Sequence, residues 1–328
     1  MQGANGRAAY GSGGTGMGES TKMAHTARGI IPRSALWECG PAVAVASVDM
    51  VSHNAVPMGY RRDLTVRVAG CTDLSPGCFR LELISADSFE AVPGQFGMLS
   101  CSDGLDPLLR RPFSLGGVRR REDTTIIEMW VKEVGRGTAM LRRTPLGREL
   151  RLLAPLGNGF SLEEGPGERL ALVAGGIGLP PVLFAAEVLS AAARPFDIYL
   201  GAATGVELLE VRRCRAAADA VGGELVLTTD DGTAGELGTV VAALSRRLAE
   251  GRSYLRALAC GPNPMLAALA DLGRERLFPV ELSLEEPMAC GVGVCLGCVV
   301  EHADGRWVPS CKEGPVFPAG KLAERWWR

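Results

Sequence analysis

The sequence predicts a six-stranded antiparallel β-barrel followed by a parallel α/β domain and a small C-terminal cysteine module. Three observations predict it. Between residues 60 and 155, short β-like runs are separated by turn signals. From residue 169 onward, buried strand-like runs alternate with helical patterns. Near the end, "MACGVGVCLGCVV" (residues 288–300) gathers three cysteines within nine residues, and Cys311 follows. The boundaries drawn from these changes of rhythm are 1–57 for a flexible N-terminal extension, 58–160 for the barrel, 161–280 for the α/β domain and 281–328 for the cysteine module.

The extension, with "GANGRAAYGSGGTGMGES", is rich in Gly and Ser and reads as flexible and without functional content, while Met58 opens a more regular sequence. The 328 residues suit about two domains at ~150 residues each. Hydrophobic residues make up 47% but aromatics only 5%, so the cores are built from Val, Leu and Ala. A net charge of −2 gives no support for nucleic acid or an anionic membrane as partner. No run of about 18 apolar residues predicts a membrane span. Ten cysteines in a chain this large, with no signal-peptide pattern, point to a reducing cytoplasm rather than a disulfide framework.

The barrel strands are read at "RRDLTVRVAG", "CFRLELIS", "GQFGMLSC", "RPFSLGGV", "TIIEMWVKEV" and "RELRLLAPLG". The fourth carries "RRPFSLGG", in which Arg111 suits a pyrophosphate, Phe113 a planar ring, and Ser114 offers a hydroxyl. In "MWVKEVGRGTAML", Lys132 is followed by Gly135, Gly137 and Thr138, a turn entering a helix where phosphate is welcome. Each motif alone also reads as an ordinary edge strand or turn; both on one barrel, ahead of a nucleotide domain, carry more weight.

In the α/β domain, "VAGGIGLPP" joins a strand to a helix. Gly175, Gly176 and Gly178 permit close backbone approach to a phosphate, and Pro180 and Pro181 suit the first helical turn. The pattern is not G-x-G-x-x-G. In "ACGPNPML", Cys260, Gly261 and Pro262 end a later strand at the crevice of an open parallel sheet, with Asn263 expected as N-cap and Pro264 as first helical residue. Asp230 and Asp231 in "TTDDG" suit ribose hydroxyls or a solvated turn. No Arg or Lys lies in "LGAATGVELLE", which favours NAD over NADP, with Arg212 and Arg213 leaving the choice open.

The module spacing is C-x4-C-x2-C-x12-C, from Cys290, Cys295, Cys298 and Cys311. Structural zinc uses two separated knuckles. Three ligands in one loop and a distant fourth match plant-type 2Fe–2S spacing. Gly291, Gly293 and Gly297 allow the tight turns that aim N–H groups at sulfur. The other cysteines, Cys39, Cys71, Cys78, Cys101, Cys214 and Cys260, show no metal spacing and, Cys260 apart, read as small buried hydrophobes. Of three histidines, His302 lies between cluster ligands and reads as solvated; no acid–base residue is nominated.

Taken in order, R-P-x-S, G-x-G-T, G-G-x-G-x-P, C-G-P and C-x4-C-x2-C…C resemble the ferredoxin-reductase superfamily. With the ending "CKEGPVF", residues 60–317 resemble the electron-transfer subunits of NAD-dependent dihydroorotate dehydrogenase. The resemblance implies FAD on Arg111, Pro112, Phe113, Ser114, Trp130, Val131, Lys132, Gly137 and Thr138. It implies NAD near Gly175, Gly176, Gly178, Cys260, Gly261 and Pro262, and a 2Fe–2S cluster on Cys290, Cys295, Cys298 and Cys311. It also implies an FMN-containing dihydroorotate dehydrogenase catalytic subunit as partner, in a heterotetramer of two plus two. Phe113 stands where many relatives carry Tyr. Two rivals are open at this point: an FAD/2Fe–2S subunit of a bifurcating NADH-dependent ferredoxin:NADP oxidoreductase or sulfhydrogenase, and a zinc-stabilised nucleotide-binding regulator.

Overall fold

The computed structural model describes residues 61–162 and 169–326, so the expected N-terminal extension lies outside the described residues. The first unit is built from β1 (Arg62–Ser75), β2 (Cys78–Ser85), β3 (Phe96–Leu99), β4 (Arg111–Arg121), β5 (Thr124–Lys132), helix α1 (Arg136–Arg142) and β6 (Glu149–Leu156). The strands close into a barrel in the order β1-β2-β5-β4-β3-β6. Alternation explains it. On β2, Phe79, Leu81 and Leu83 are fully buried, and in register they meet Val131, Met129 and Ile127 of β5 inside the barrel. The outward positions Cys78, Arg80, Glu128 and Trp130 are buried too, because a second domain covers that face.

That domain contains β7 (Leu170–Gly175), α2 (Leu179–Ala191), β8 (Phe196–Ala202), α3 (Val211–Asp219), β9 (Leu225–Thr229), β10 (Glu236–Leu237), α4 (Val240–Ala249), β11 (Arg256–Cys260), α5 (Asn263–Arg276) and β12 (Val280–Ser283). After it come β13 (Val299–Glu301), β14 (Trp307–Pro309), the short α6 (Ser310–Glu313) and β15 (Val316–Pro318). The sheet order is β10-β9-β8-β7-β11-β12-β15. From β7 the chain winds first toward β8 and later returns to β11 on the other side. The crevice of an open sheet lies at such a reversal, here between the ends of β7 and β11.

Six strands are parallel, but β15 runs antiparallel to β12, with Leu282 opposite Phe317. The cysteine segment therefore contributes an edge strand to the nucleotide domain. Val300, Val308, Phe317 and Leu322 join the core that holds Val280 and Leu282. His302, expected to be solvated, instead packs edge-on against Phe317, ring centroids 5.8 Å apart. The same segment is tied to the barrel by Asn158, whose amide donates to the carbonyls of Glu313 and Val316 and accepts the Val316 N–H, each at 3.0 Å. Gly157 beside it has φ 70°, and a Cβ there would lie 2.5 Å from Pro315. Only glycine fits that crossing.

Candidate functional site

At the barrel mouth, β3 and β4 pair with Leu99 opposite Arg111, Met98 opposite Pro112, Gly97 opposite Phe113 and Phe96 opposite Ser114. All four residues of the Arg111–Ser114 stretch are half-buried. The Arg111 guanidinium donates through Nη1 to the carbonyls of Leu109 (2.7 Å) and Arg110 (3.3 Å), which fixes its direction. Its Nε lies 3.2 Å from where a Cβ on Gly137 would stand, and Cys101 Sγ lies 3.0 Å from it. Arg111 and the Gly137–Thr138 turn, twenty-odd residues apart in sequence, thus form one cradle. The Thr138 hydroxyl holds that turn: it accepts N–H bonds from Val134 (3.0 Å) and Gly135 (3.1 Å) and donates to the Gly135 carbonyl (2.9 Å). Trp130 and Val131 stand apart. Trp130 is 3% exposed and packs in the apolar cluster that includes α2 residues, and Val131 is fully inside the barrel. Both side chains are closed to a ligand, leaving only their backbone and the exposed Lys132.

In the crevice, the glycine turn and the Cys-Gly-Pro segment touch. A Cβ on Gly178 would lie 2.4 Å from the Cys260 carbonyl oxygen, and one on Gly261 would lie 3.1 Å from the Gly175 nitrogen. Gly176 has φ 52° and open space beside it. The Cys260 side chain is fully buried, which leaves only its backbone toward the crevice; burial, then the nearby Glu285 charge, push its thiol pKa up. Asn263 is not the N-cap: Pro262 is, Asn263 and Pro264 open the helix, and no side chain caps it. The tight contact gives a stability prediction. Gly178→Ala must force two backbones apart, and we expect a loss of about 1–3 kcal/mol or more in urea unfolding.

The cysteine loop lies on the barrel. Cys298 and Cys311 pack with Phe96, Met98 and Leu156. A Cβ on Gly291 (φ 69°) would meet Met98 Cγ at 2.6 Å. The Cys290 thiol is influenced by Cys295, and the Cys311 thiol by both Cys298 and Cys290, so the four cysteines lie in one neighbourhood. Backbone N–H groups point at sulfur: Val292 to Cys290 (3.4 Å), Gly293 to Cys311 (3.1 Å) and Cys311 to Cys298 (3.4 Å). Burial would raise the Cys290 pKa, but N–H bonds from Val292, Cys295 and Val294 outweigh it and bring the thiol down to about 6. Burial and the Cys298 thiol push Cys311 up. Among the described residues, no three His, Cys, Asp or Glu side chains converge as a single metal ion requires. A tetrahedral zinc site needs four donors at one point. Four thiols in one neighbourhood, with N–H groups aimed at their sulfurs, would suit an iron–sulfur cluster, whose sulfurs accept such bonds.

Glu285 was not singled out from the sequence. It follows β12 and opens onto the crevice, exposed yet surrounded by protein. Burial raises its pKa above the ordinary 4.5 and the Lys132 charge opposes this; burial alone raises Glu286. Only its place at the end of a crevice-lining strand could have marked it. A carboxylate with a raised folded pKa holds its proton longer in the fold. Its contribution is full below the unfolded pKa and is lost as pH rises through the folded one. Glu285→Gln is therefore expected to flatten the fall in urea midpoint as pH rises above the ordinary carboxylate range.

A ferredoxin-reductase-like barrel and sheet with this cysteine module define the class: an NAD-dependent flavin and iron–sulfur oxidoreductase subunit. A family model described as the iron–sulfur cluster binding domain of dihydroorotate dehydrogenase B matches residues 285–323. The dihydroorotate dehydrogenase B (NAD(+)) electron transfer subunit of Desulforamulus reducens is 36% identical over 253 residues, covering 76% of this chain and 94% of the relative. That of Geobacillus thermodenitrificans is 40% identical over 233 residues, covering 70% and 86%. The solved NADH-dependent reduced ferredoxin–NADP oxidoreductase superposes with a TM-score of 0.69 at 26% identity, over 80% of this chain and 90% of that one. The chain belongs to the family of electron-transfer subunits of NAD-dependent dihydroorotate dehydrogenase B.

Proposed function

We propose that this chain carries electrons from dihydroorotate oxidation in an FMN-containing catalytic subunit, through a 2Fe–2S cluster and FAD, to NAD+. A flavin exchanges a hydride with nicotinamide and single electrons with iron–sulfur, so FAD belongs between the two. Residues 58–160 hold FAD, with Arg111 and the Gly137–Thr138 turn at its pyrophosphate and Phe113 and Ser114 toward its ring. Residues 161–280 hold NAD over Gly175, Gly176, Gly178 and the backbone of Cys260–Pro262. Residues 281–328 hold the cluster on the four cysteines. The observation that carries the reading is continuity: the cysteine loop rests on Met98, and Met98 pairs with Pro112 in the strand that bears Arg111 and Ser114.

The cluster has an outer side. Cys295 is exposed, flanked by exposed Val294 (79%) and Leu296 (59%). This is the face for the catalytic subunit, in a heterotetramer of two plus two. Leu296 has φ 56°, a left-handed conformation that disfavours leucine. Leu296→Gly is expected to stabilise the free chain by about 0.5–1 kcal/mol, strain relief exceeding the entropy cost, while weakening partner association in titration calorimetry. The described cysteines are all free of disulfides, which supports the cytoplasm as location; no helix among the described residues is long and apolar enough to cross a membrane.

Likeness to the ferredoxin–NADP oxidoreductase favours one second reading, an alternative partner at the same cluster face. Co-purification with the catalytic subunit and dihydroorotate-dependent reduction of NAD+ tests the choice. NAD+ reduction by the reconstituted pair supports the proposal; its absence, with cluster and FAD in place, overturns it.

A further inference from the structure

Where the α/β domain covers the barrel, six charged side chains form one network, enclosed at Glu128 and Arg80 and open to solvent at Arg119. Arg80, Arg119 and Glu128 come from β2, β4 and β5; Glu187 comes from α2, and Glu210 and Arg213 from the start of α3. Arg213 Nη1 meets Glu128 Oε2 at 3.0 Å, and its Nη2 meets Glu187 Oε1 at 2.7 Å. Arg80 Nη1 meets Glu210 Oε1 at 2.5 Å, and Arg119 pairs with Glu128. Glu128 is almost fully enclosed, its side chain 3% exposed. Burial would lower the Arg213 pKa, but Glu128 and Glu187 outweigh it and raise it, so the guanidinium stays charged.

Two details show that the network spans the domain border rather than serving either domain. The barrel side holds two arginines and one glutamate, the other side two glutamates and one arginine, so the charges balance only when the domains are docked. Glu210 is the N-cap residue of α3, in a left-handed conformation (φ 45°), yet its side chain caps nothing. It reaches across to Arg80 instead. A cap hydrogen bond and a relaxed backbone are both forgone for a contact with the barrel.

The border also carries a tight contact at the start of α2. A Cβ on Gly116, two residues beyond Ser114, would lie 3.3 Å from Pro180 in the first turn of α2, directly after the glycine turn. Cys78 and Trp130 of the barrel pack beside it in one apolar cluster with Leu179, Val182 and Leu183 of α2. Glu187 lies seven residues along α2, about 10 Å from Pro180 at ~1.5 Å per residue, so the charged contacts hold the helix against the barrel at a second place.

We propose that this network is a latch that sets the angle at which the nicotinamide domain faces the flavin, with Arg213 as its central positioning residue. The inference rests on the placement of FAD in the barrel and NAD in the crevice. Arg213, one of the two basic residues the sequence left open for a 2′-phosphate, is committed to the latch.

The test is single-turnover reduction of FAD by saturating NADH in the full-chain holoprotein. Arg213→Met alone leaves Glu128 and Glu187 to share Arg119, which is 4.0 Å from Glu187, so one carboxylate is in excess. In Arg213→Met with Glu128→Met, two arginines still face two glutamates, so the melting temperature should recover while the geometry loosens. The latch predicts about tenfold or greater slowing at saturating NADH, with KM, FAD content and iron content unchanged. A role in stability alone predicts wild-type rates once melting recovers, and that result overturns the latch. Glu187→Gln, at a half-exposed side chain, keeps the test open if the double variant misfolds: slowing supports the latch and a wild-type rate refutes it. Failure of NADH to reduce the wild-type flavin would instead refute the cofactor placement itself.

Discussion

Cys298→Ser is expected to strip the chain of iron and abolish dihydroorotate-dependent NAD+ reduction, while NADH oxidation by ferricyanide at the flavin persists. Cys298 is 2% exposed and packs, with Cys311, against Phe96, Met98 and Leu156 of the barrel. Its carbonyl also accepts the Ser310 N–H at 2.9 Å, next to Cys311. Serine lacks a soft thiolate. Removing a ligand should exceed the about 10- to 100-fold losses typical of changes outside the ligand shell. Because cluster binding is coupled to folding of the loop that carries it, several kcal/mol of stability should go with it. The exposed Cys295 gives the contrasting case: Cys295→Ser should lose iron with less disturbance of the barrel contact. Iron analysis, urea unfolding and the two assays separate these effects. Iron retained at wild-type content in Cys298→Ser would remove it from the ligand set.

The second large effect is at the barrel mouth. Arg111→Ala removes a charged hydrogen-bond donor directed by Leu109 and Arg110, worth about 1.5–3 kcal/mol to a bound pyrophosphate. FAD affinity should fall on the order of 10- to 100-fold. Gly137→Ala tests the same cradle without touching the charge. Its added Cβ would stand 3.0 Å from Cys101 Sγ and 3.2 Å from Arg111 Nε, so the guanidinium must give way. Equilibrium titration with FAD, read by quenching of flavin fluorescence, distinguishes them. Wild-type affinity in both variants would place the pyrophosphate elsewhere.

Much of the fold was legible because its strands obey simple alternation. "CFRLELIS" coincides with β2, and the inward positions Phe79, Leu81 and Leu83 stand out as period-two apolar residues. The module's shorter pieces were not legible. β13, β14 and β15 span three residues each, too few to show a period, and β15 finds its place only by pairing with β12. Asn263 looked like a cap because residue type was read without backbone conformation. The cysteine quartet was visible in spacing, whereas the seating of Cys298 and Cys311 on Phe96, Met98 and Leu156 appears only in the fold. Arg80, Glu128 and Arg213 were invisible for a different reason. Charged residues on the outward face of a strand or helix read as solvated, and alternation cannot say which outward face a second domain will cover.

The direct measurement is the cofactor content of anaerobically purified protein. The account requires about two irons and about two acid-labile sulfides per chain, together with FAD, and both centres must bleach on adding NADH. A colourless protein containing zinc, or a flavoprotein without iron, would contradict it.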